Sequence, residues 1–462
     1  MSIQSPKITV YAPCFNYGAF VEQAVESVIA QTFEDWELIV IDDGSTDNSR
    51  EILKKYTSHP KIRIIEQENK GLNVTNNIAL RLARGEYVMR LDTDDWLDEN
   101  ALVVLSGILD RDADVGLVYP DYFEVDEEGE IIELVRRKKL GEEVELLDLP
   151  AHGACTMFRR DVLMQMGGYI EDYSCQDGYE LWIRFIQKFD PYNVNIPLFY
   201  YRQHGTSLTA KQDRILSTRR TIKRDFVARE FQGVQPSVLG LIPVGMKSPY
   251  PHNDPFQSLG GRPLLDHTID QALAATSLDN IVVSTRRKDV LEYISNKDRV
   301  IGIERPDGIG DGPNGTQKIA KHALEFLDGR IEKPVDAVCI LYISTPFREA
   351  HHIDWAVDTM QIFGTDSVIS VQEELAPFHH HGRHGLEPLS TTPGMRLERD
   401  AMFRENGAIF LTKRAEIDAG RLMGEAVGHV TMLPEESVKI NSEFEYWLAE
   451  KIAADRRPQR KP

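Results

Sequence analysis

Trp36-Glu37-Leu38-Ile39-Val40-Ile41 runs without a break into Asp42-Asp43-Gly44-Ser45-Thr46-Asp47. Such an unbroken apolar run is the pattern of a strand buried on both faces, and here it ends in a turn that opens with two carboxylates. Tyr87 to Leu91 repeats the pattern and ends in Asp92-Thr93-Asp94-Asp95. Ligands of open α/β sheets lie in the crevice outside the carboxyl ends of the strands. Five acids converging there repel one another unless a cation or ligand hydroxyls share the site. The economical explanation is a divalent ion carrying a nucleotide diphosphate.

Working outward, strands are expected at Ile8 to Ala12, Glu37 to Ile41, Ile62 to Ile65, Tyr87 to Leu91 and Val115 to Tyr119. Helices are expected at Phe20 to Ala30, Ser49 to Tyr56, Val74 to Ala83 and Ala101 to Leu109. This alternation predicts a mainly parallel sheet covered on both faces. Beyond residue 120 the pattern loosens into a hairpin-like turn at Asp126 to Glu130, with helical spacing returning at Leu181 to Phe189. Lys211 to Glu230 is a basic helical stretch leading to a linker, 231–237, and is expected to be an inter-domain helix with a solvated basic face. A second α/β pattern follows, with strands at Leu239 to Val244, Ile281 to Ser284, Val338 to Ile343 and Ser367 to Val371, and a helix at Leu264 to Ala275.

The 462 residues are too many for one ordinary core. The expected domains are 1–230, 238–454 and a basic tail, 455–462. A net charge of -20 argues against a nucleic-acid surface, while phosphates held through a metal remain compatible with it. Cys14, Cys155, Cys175 and Cys339 have no paired metal spacing and read as reduced thiols. Met1 to Lys7 lacks an apolar signal core and no run approaches the length of a membrane span. A cytoplasmic protein is expected, with peripheral contact at the inner face of a membrane left open.

Pro6 to Glu230 resembles the family-2 glycosyltransferases with the GT-A fold. The resemblance is carried by Ala12-Pro13-Cys14-Phe15-Asn16, Asp42-Asp43-Gly44-Ser45, Asn69-Lys70-Gly71, Asp92-Thr93-Asp94-Asp95, Gly167-Gly168-Tyr169, Leu181-Trp182-Ile183-Arg184 and Tyr201-Arg202-Gln203-His204-Gly205. It implies transfer of a sugar, with inversion, from a nucleotide-sugar donor to a hydroxyl of a glycan or lipid-linked acceptor. Pro13, Phe15, Asn16, Asp42, Asp43 and Asp92 are then the nucleotide-binding candidates. Asp94, Asp95 and His204 are the candidate ligands of Mg or Mn. Asp177 is the preferred general base, a carboxylate that takes the acceptor's proton. The family's Glu-Asp pattern lies one residue nearer Leu181-Trp182, so Glu180 is the alternative. Asn76 stands where members often carry arginine.

Pro236 to Ala454 resembles the CMP-sugar synthetases that activate acylneuraminate or related acidic sugars. Leu259-Gly260-Gly261-Arg262-Pro263-Leu264, Leu341 to Arg348 and Phe403-Arg404-Glu405-Asn406-Gly407-Ala408-Ile409 carry it, with Ile281 to Thr285 and Ser367 to Gln372. Where that family places Arg, Lys and Lys to hold a triphosphate, this chain has Gly245, Pro249 and Asp254, with Lys247 nearby. Its metal-binding Asp-x-Asp is replaced by Lys439-Ile440-Asn441. The expectation is therefore two Rossmann-like α/β nucleotide-type domains, the second inactive and serving in binding, scaffolding or homo-oligomer contact. The rivals are a bifunctional enzyme that also makes a CMP-activated acidic sugar, and a non-catalytic glycan-binding or assembly protein. Gly308 to Thr316 could cradle an anion at a helix start, and Phe378 to His384 could bind a carboxylate or metal.

Overall fold

The computed structural model describes residues 5–140, 153–173, 176–204, 212–246, 252–312, 314–374, 378–382, 385–389 and 402–456. Contacts divide the chain into two units, Met1–Ile222 and Lys223–Pro462. Cys175, Gly205, Lys211, Lys247, Pro249, Arg383, His384 and the tail from residue 457 lie outside the described residues, as does the side chain of Asp177.

In the first unit, strands β1 (Ile8–Cys14), β2 (Trp36–Asp43), β3 (Ile62–Gln67) and β4 (Tyr87–Arg90) alternate with helices α1 (Val21–Ile29), α2 (Ser49–Leu53) and α3 (Leu72–Leu82). Next come β5 (Trp96–Leu97), α4 (Ala101–Arg111), β6 (Val115–Val125), β7 (Ile131–Val135) and β8 (Met157–Arg159). Helices α5 (Arg160–Gln165) and α6 (Asp177–Ile186) precede β9 (Asp190–Arg202), and α7 (Gln212–Glu230) ends the run. The sheet order is β3-β2-β1-β4-β8-β6-β9-β5, with β7 hairpinned onto β6. The first four strands are parallel.

Every residue of β2 is buried, which explains its lack of alternation. Ile8, Val10, Leu38 and Val40 enter one core on one face of the sheet. Tyr11, Ile39 and Ile41, the intervening residues, enter the core on the other, with Trp182 and Phe185. At the end of β2 the chain turns at Gly44, with φ +82°, where a Cβ would lie 2.7 Å from the Asn69 amide nitrogen. Only glycine fits that approach.

The second unit repeats this start. Its strands lie in the order Val300–Glu304, Asn280–Thr285, Val238–Val244, Ala337–Ile340, Met402–Lys413, Ser367–Glu374, Val427–Thr431. The first four are again parallel. The strand expected to reach Ile343 ends at Ile340: the Leu341 amide still donates to the Leu241 carbonyl at 2.9 Å, and the chain then turns.

The basic stretch departs from its expected solvated face. Arg219 and Lys223 are 7% and 1% exposed, while Arg224 and Arg229 face solvent. Within the second unit the Lys223 ammonium bonds Thr359 Oγ1 at 3.3 Å and lies over the rings of Trp355 and Phe363, a packing that uses the lysine stem as apolar surface. Among the described residues, no helix is long and apolar enough to cross a membrane.

Candidate active site

The two acidic clusters lie on either side of the end of β1. Cys14 of β1 stands opposite Asp42 of β2, and the Leu91 amide beyond β4 donates to the Tyr11 carbonyl at 2.9 Å. Thr93 Oγ1 donates to the Pro13 carbonyl at 3.0 Å. From the other side, the Asn16 amide donates to Ser45 Oγ at 3.0 Å, and the Thr46 amide donates to Asn16 Oδ1 at 2.7 Å. Asn16 makes these bonds from the left-handed region, φ 60°, which asparagine tolerates. One loop, Pro13 to Asn16, thus joins both clusters at the carboxyl end of the sheet.

The five aspartates have separate environments. Asp42 is paired with Arg50 Nε at 2.6 Å and accepts from the Ser45 amide at 3.3 Å. Asp43 accepts from the amides of Lys70 and Gly71 at 2.8 and 2.9 Å and from Gln67 Nε2 at 2.7 Å. Both are buried, at 0% and 5% exposure. Their charges are met chiefly by Arg50 for Asp42 and by the Lys70 and Gly71 amides for Asp43. Phe15 above them is 44% exposed and open to stacking. Helix capping in this turn falls to Asp47, whose Oδ1 accepts from the Ser49 amide at 3.0 Å.

Asp92 pairs with Arg90 Nε at 2.8 Å. Asp94 Oδ2 lies 2.9 Å from His204 Nε2, so the sequence-expected pair is in contact across 110 residues. Asp95 is buried: its Oδ1 accepts from the Arg202 amide at 2.9 Å, and its Oδ2 has no hydrogen-bond partner among the described residues. Burial first, and then the charges of Asp94 and Asp92, hold the Asp95 carboxyl well above the usual carboxylate range. Three acids so close, one with an orphaned oxygen, suit a divalent cation. Among the described residues no third protein ligand forms a tight cluster with Asp94 and His204, so such an ion would draw on diphosphate oxygens and water.

Several supporting residues were not singled out from sequence. Arg202 donates through Nε to the Asp94 carbonyl at 3.0 Å and through Nη2 to Gln23 Oε1 at 2.6 Å. Its guanidinium packs 4.7 Å from the ring centres of both Phe20 and Trp96. Tyr17 meets the His204 ring edge-on at 5.9 Å, and its phenol is pushed up by burial and then by the charges of Asp94 and Asp92. The Tyr201-Arg202 run beside His204 was the available signal for Arg202; nothing local in sequence marks Gln23.

Asp177 opens α6. Glu180, the alternative base, is ion-paired. Its two oxygens receive Arg184 Nε and Nη2 at 2.6 and 2.7 Å, and Arg184 also donates to the carbonyls of Met166 and Gly168 at 2.7 and 2.6 Å. Asn77, next to the departure at Asn76, ties the same loop: its side chain exchanges bonds with the Tyr169 amide and carbonyl at 2.9 and 2.8 Å. Beside this loop is a small recess of about 20 Å3 lined by Arg90, Thr156, Tyr169, Leu181, Trp182 and Phe185 among others.

In the second unit, Asp254 is paired with Arg287 Nη1 at 2.5 Å, and Gly245 supplies no charge. His379 to His381 form an exposed hairpin strand and join no cluster of metal-ligating groups among the described residues. The one group of that kind, His351, His352 and Glu436, is a structural contact. His352 Nδ1 accepts from the Glu349 amide at 3.0 Å, which leaves the proton on Nε2, 3.1 Å from Glu436.

Residues 9–167 match the family described as "Glycosyl transferase family 2", and this segment is a domain of that family. The chain is 38% identical to the chondroitin synthase of Escherichia coli over 128 residues, which is 28% of this chain and 19% of that protein. It is 27% identical to the uncharacterised protein y4gI of Sinorhizobium fredii over 326 residues, 65% of this chain and 36% of that one. A crystal structure of S. aureus TarS 1–349 with UDP overlaps 48% of this chain and 66% of that one at 18% identity, with a TM-score of 0.39. The chain thus spans about a fifth and about a third of the two curated relatives named.

Proposed function

We propose that the chain moves a sugar from a nucleotide-diphosphate donor to a hydroxyl of a glycan or lipid-linked acceptor, with inversion at the anomeric carbon. The observation that carries this reading is the joining of the Asp42–Asp47 and Asp92–Asp95 turns by the Pro13–Asn16 loop at one end of the sheet. Phe15 offers a ring for the base. Asp94 and His204 are the protein ligands for Mg or Mn, with Asp92 and Asp95 close by. The ion supplies charge to offset the departing diphosphate. Asp177 accepts the proton of the acceptor hydroxyl as its oxygen attacks, and the anomeric carbon–oxygen bond to diphosphate breaks. Glu180 and Arg184 keep the Gly167–Gly168 loop in place beside the recess.

The second unit is proposed as a nucleotidyltransferase-like domain without catalysis, serving in binding or scaffolding. One observation favours a bifunctional reading instead: Arg305 is 4% exposed, and its Nε and Nη1 have no hydrogen-bond partner beside the Gly308–Gly312 loop. Incubating the full chain with CTP, magnesium and acidic sugars separates the two readings. Pyrophosphate release supports the bifunctional enzyme, and its absence supports the single transferase.

The test of the main reading is a screen of nucleotide sugars, with and without manganese, for binding and transfer. Manganese-dependent donor binding is expected, and Asp177→Asn should retain binding while losing transfer. Glycan binding with no nucleotide-sugar turnover would instead identify a non-catalytic binding protein.

A further inference from the structure

We propose that Arg219, on α7, is a positioning residue for the transfer step, acting through the turn that carries Asp177. The inference rests on the reading of Asp177 as the base. Arg219 belongs to the basic stretch expected to face solvent, yet only 7% of it is exposed. Its Nε donates to Gln176 Oε1 at 2.7 Å, and its guanidinium carbon lies 4.7 Å from the ring centre of Tyr179, itself buried. Arg219 therefore grips the residue before Asp177 and the second residue after it. Its Nη2 is buried with no hydrogen-bond partner among the described residues, so the side chain holds a donor in reserve at this turn.

The turn needs holding. Gln176 has φ 61°, a left-handed conformation that costs energy for a residue with a Cβ, and it begins α6 without a side-chain cap. Such strain persists only where surrounding contacts impose it. A planar guanidinium, stacked on Tyr179 and bonded to Gln176, fixes both position and angle, which a lysine ammonium does not reproduce. Release of the turn shifts the Asp177 backbone, while Asp94 and His204 keep their own contact.

The test compares Arg219→Gln, Arg219→Lys, Arg219→Ala, Gln176→Ala, the double variant of Arg219→Gln with Gln176→Ala, and Asp177→Asn in the full chain. It follows nucleoside diphosphate release from the nucleotide sugar selected by the donor screen. Arg219→Gln and Gln176→Ala should each lower kcat about 10- to 100-fold with donor KM unchanged, as expected for a misplacement of about 1 Å. The double variant should lose no more than the worse single one, because both break the same bond. Methylguanidinium should restore turnover to Arg219→Ala, and Arg219→Lys should recover little. If Arg219→Gln does not fold, Gln176→Ala decides. Full kcat in Gln176→Ala, or additive losses in the double variant, overturns the proposal. An inactive Asp177→Asn beside a fully active Arg219→Gln rejects Arg219 alone, whereas a fully active Asp177→Asn rejects the base assignment itself.

Discussion

The two units start from the same strand order and stock the same end of the sheet with opposite chemistry. In the first unit β2 ends in Asp42 and Asp43; in the second the matching strand, Asn280–Thr285, is followed by Arg286 and Arg287. After β4 the first continues Leu91-Asp92-Thr93-Asp94-Asp95, and after Ala337–Ile340 the second continues Leu341-Tyr342-Ile343-Ser344-Thr345. Even the bond that extends the strand is shared: Leu91 to Tyr11 in one unit and Leu341 to Leu241 in the other, both 2.9 Å. The backbone decides where a ligand can sit, and the side chains at strand ends decide which ligand it is. An acidic end calls for a cation to bring phosphate; in the second unit Arg286 is paired with Asp311, and Arg287 with Asp254 and Asp289.

The contrast breaks most visibly at Asp94. Asp94→Asn should lower transfer at least about 100-fold and abolish the manganese dependence of donor binding, measured by turnover and by titration calorimetry. The next largest effect is on stability. Glu180→Gln leaves Arg184 buried without its partner and should cost about 3 kcal/mol, read from the urea midpoint of the first unit.

A smaller effect belongs to the second unit. The Asp358 carboxyl is pushed up to about 7, first by burial and then by the charge of Asp354, against the opposing pull of Lys223 and Arg224. Its folded pKa lies above the ordinary 3.8, so the folded state binds the proton more tightly than the unfolded chain does. The stability it contributes is complete below about pH 4 and is lost as pH rises through about 7. Asp358→Asn should flatten that part of the stability–pH curve while leaving transfer unchanged. The smallest effect is expected at Lys439, whose ammonium lies over Gly407 in the second unit: Lys439→Ala should leave sugar transfer unaltered if the acidic end alone performs it.

Much of the first unit was legible because its early strands are continuous apolar runs buried on both faces. β9 was harder to read. Asp190-Pro191-Tyr192-Asn193-Val194-Asn195 mixes polar and apolar residues, and its pairing with β6 shifts register, so no simple period survives. In the second unit, the strand Met402–Lys413 begins with exposed Phe403, Arg404 and Glu405 and was readable only as a motif. The acidic clusters could be located because each follows a strand directly. Their partners could not: Arg50, Arg90 and Arg202 are ordinary arginines until the fold brings them to Asp42, Asp92 and Asp94. Arg219 was misread for a physical reason, since a guanidinium stacked inward on Tyr179 leaves the same helical charge period as a solvated stripe.

The most direct test of the central claim is a crystal of the full chain soaked with manganese and the donor's nucleoside diphosphate, with the metal located by its anomalous signal. The account predicts a manganese peak bonded to Asp94 and to the diphosphate, in the cleft between the Asp42–Asp47 and Asp92–Asp95 turns. Diphosphate bound at the strand ends of the second unit, with no metal at Asp94, would contradict it.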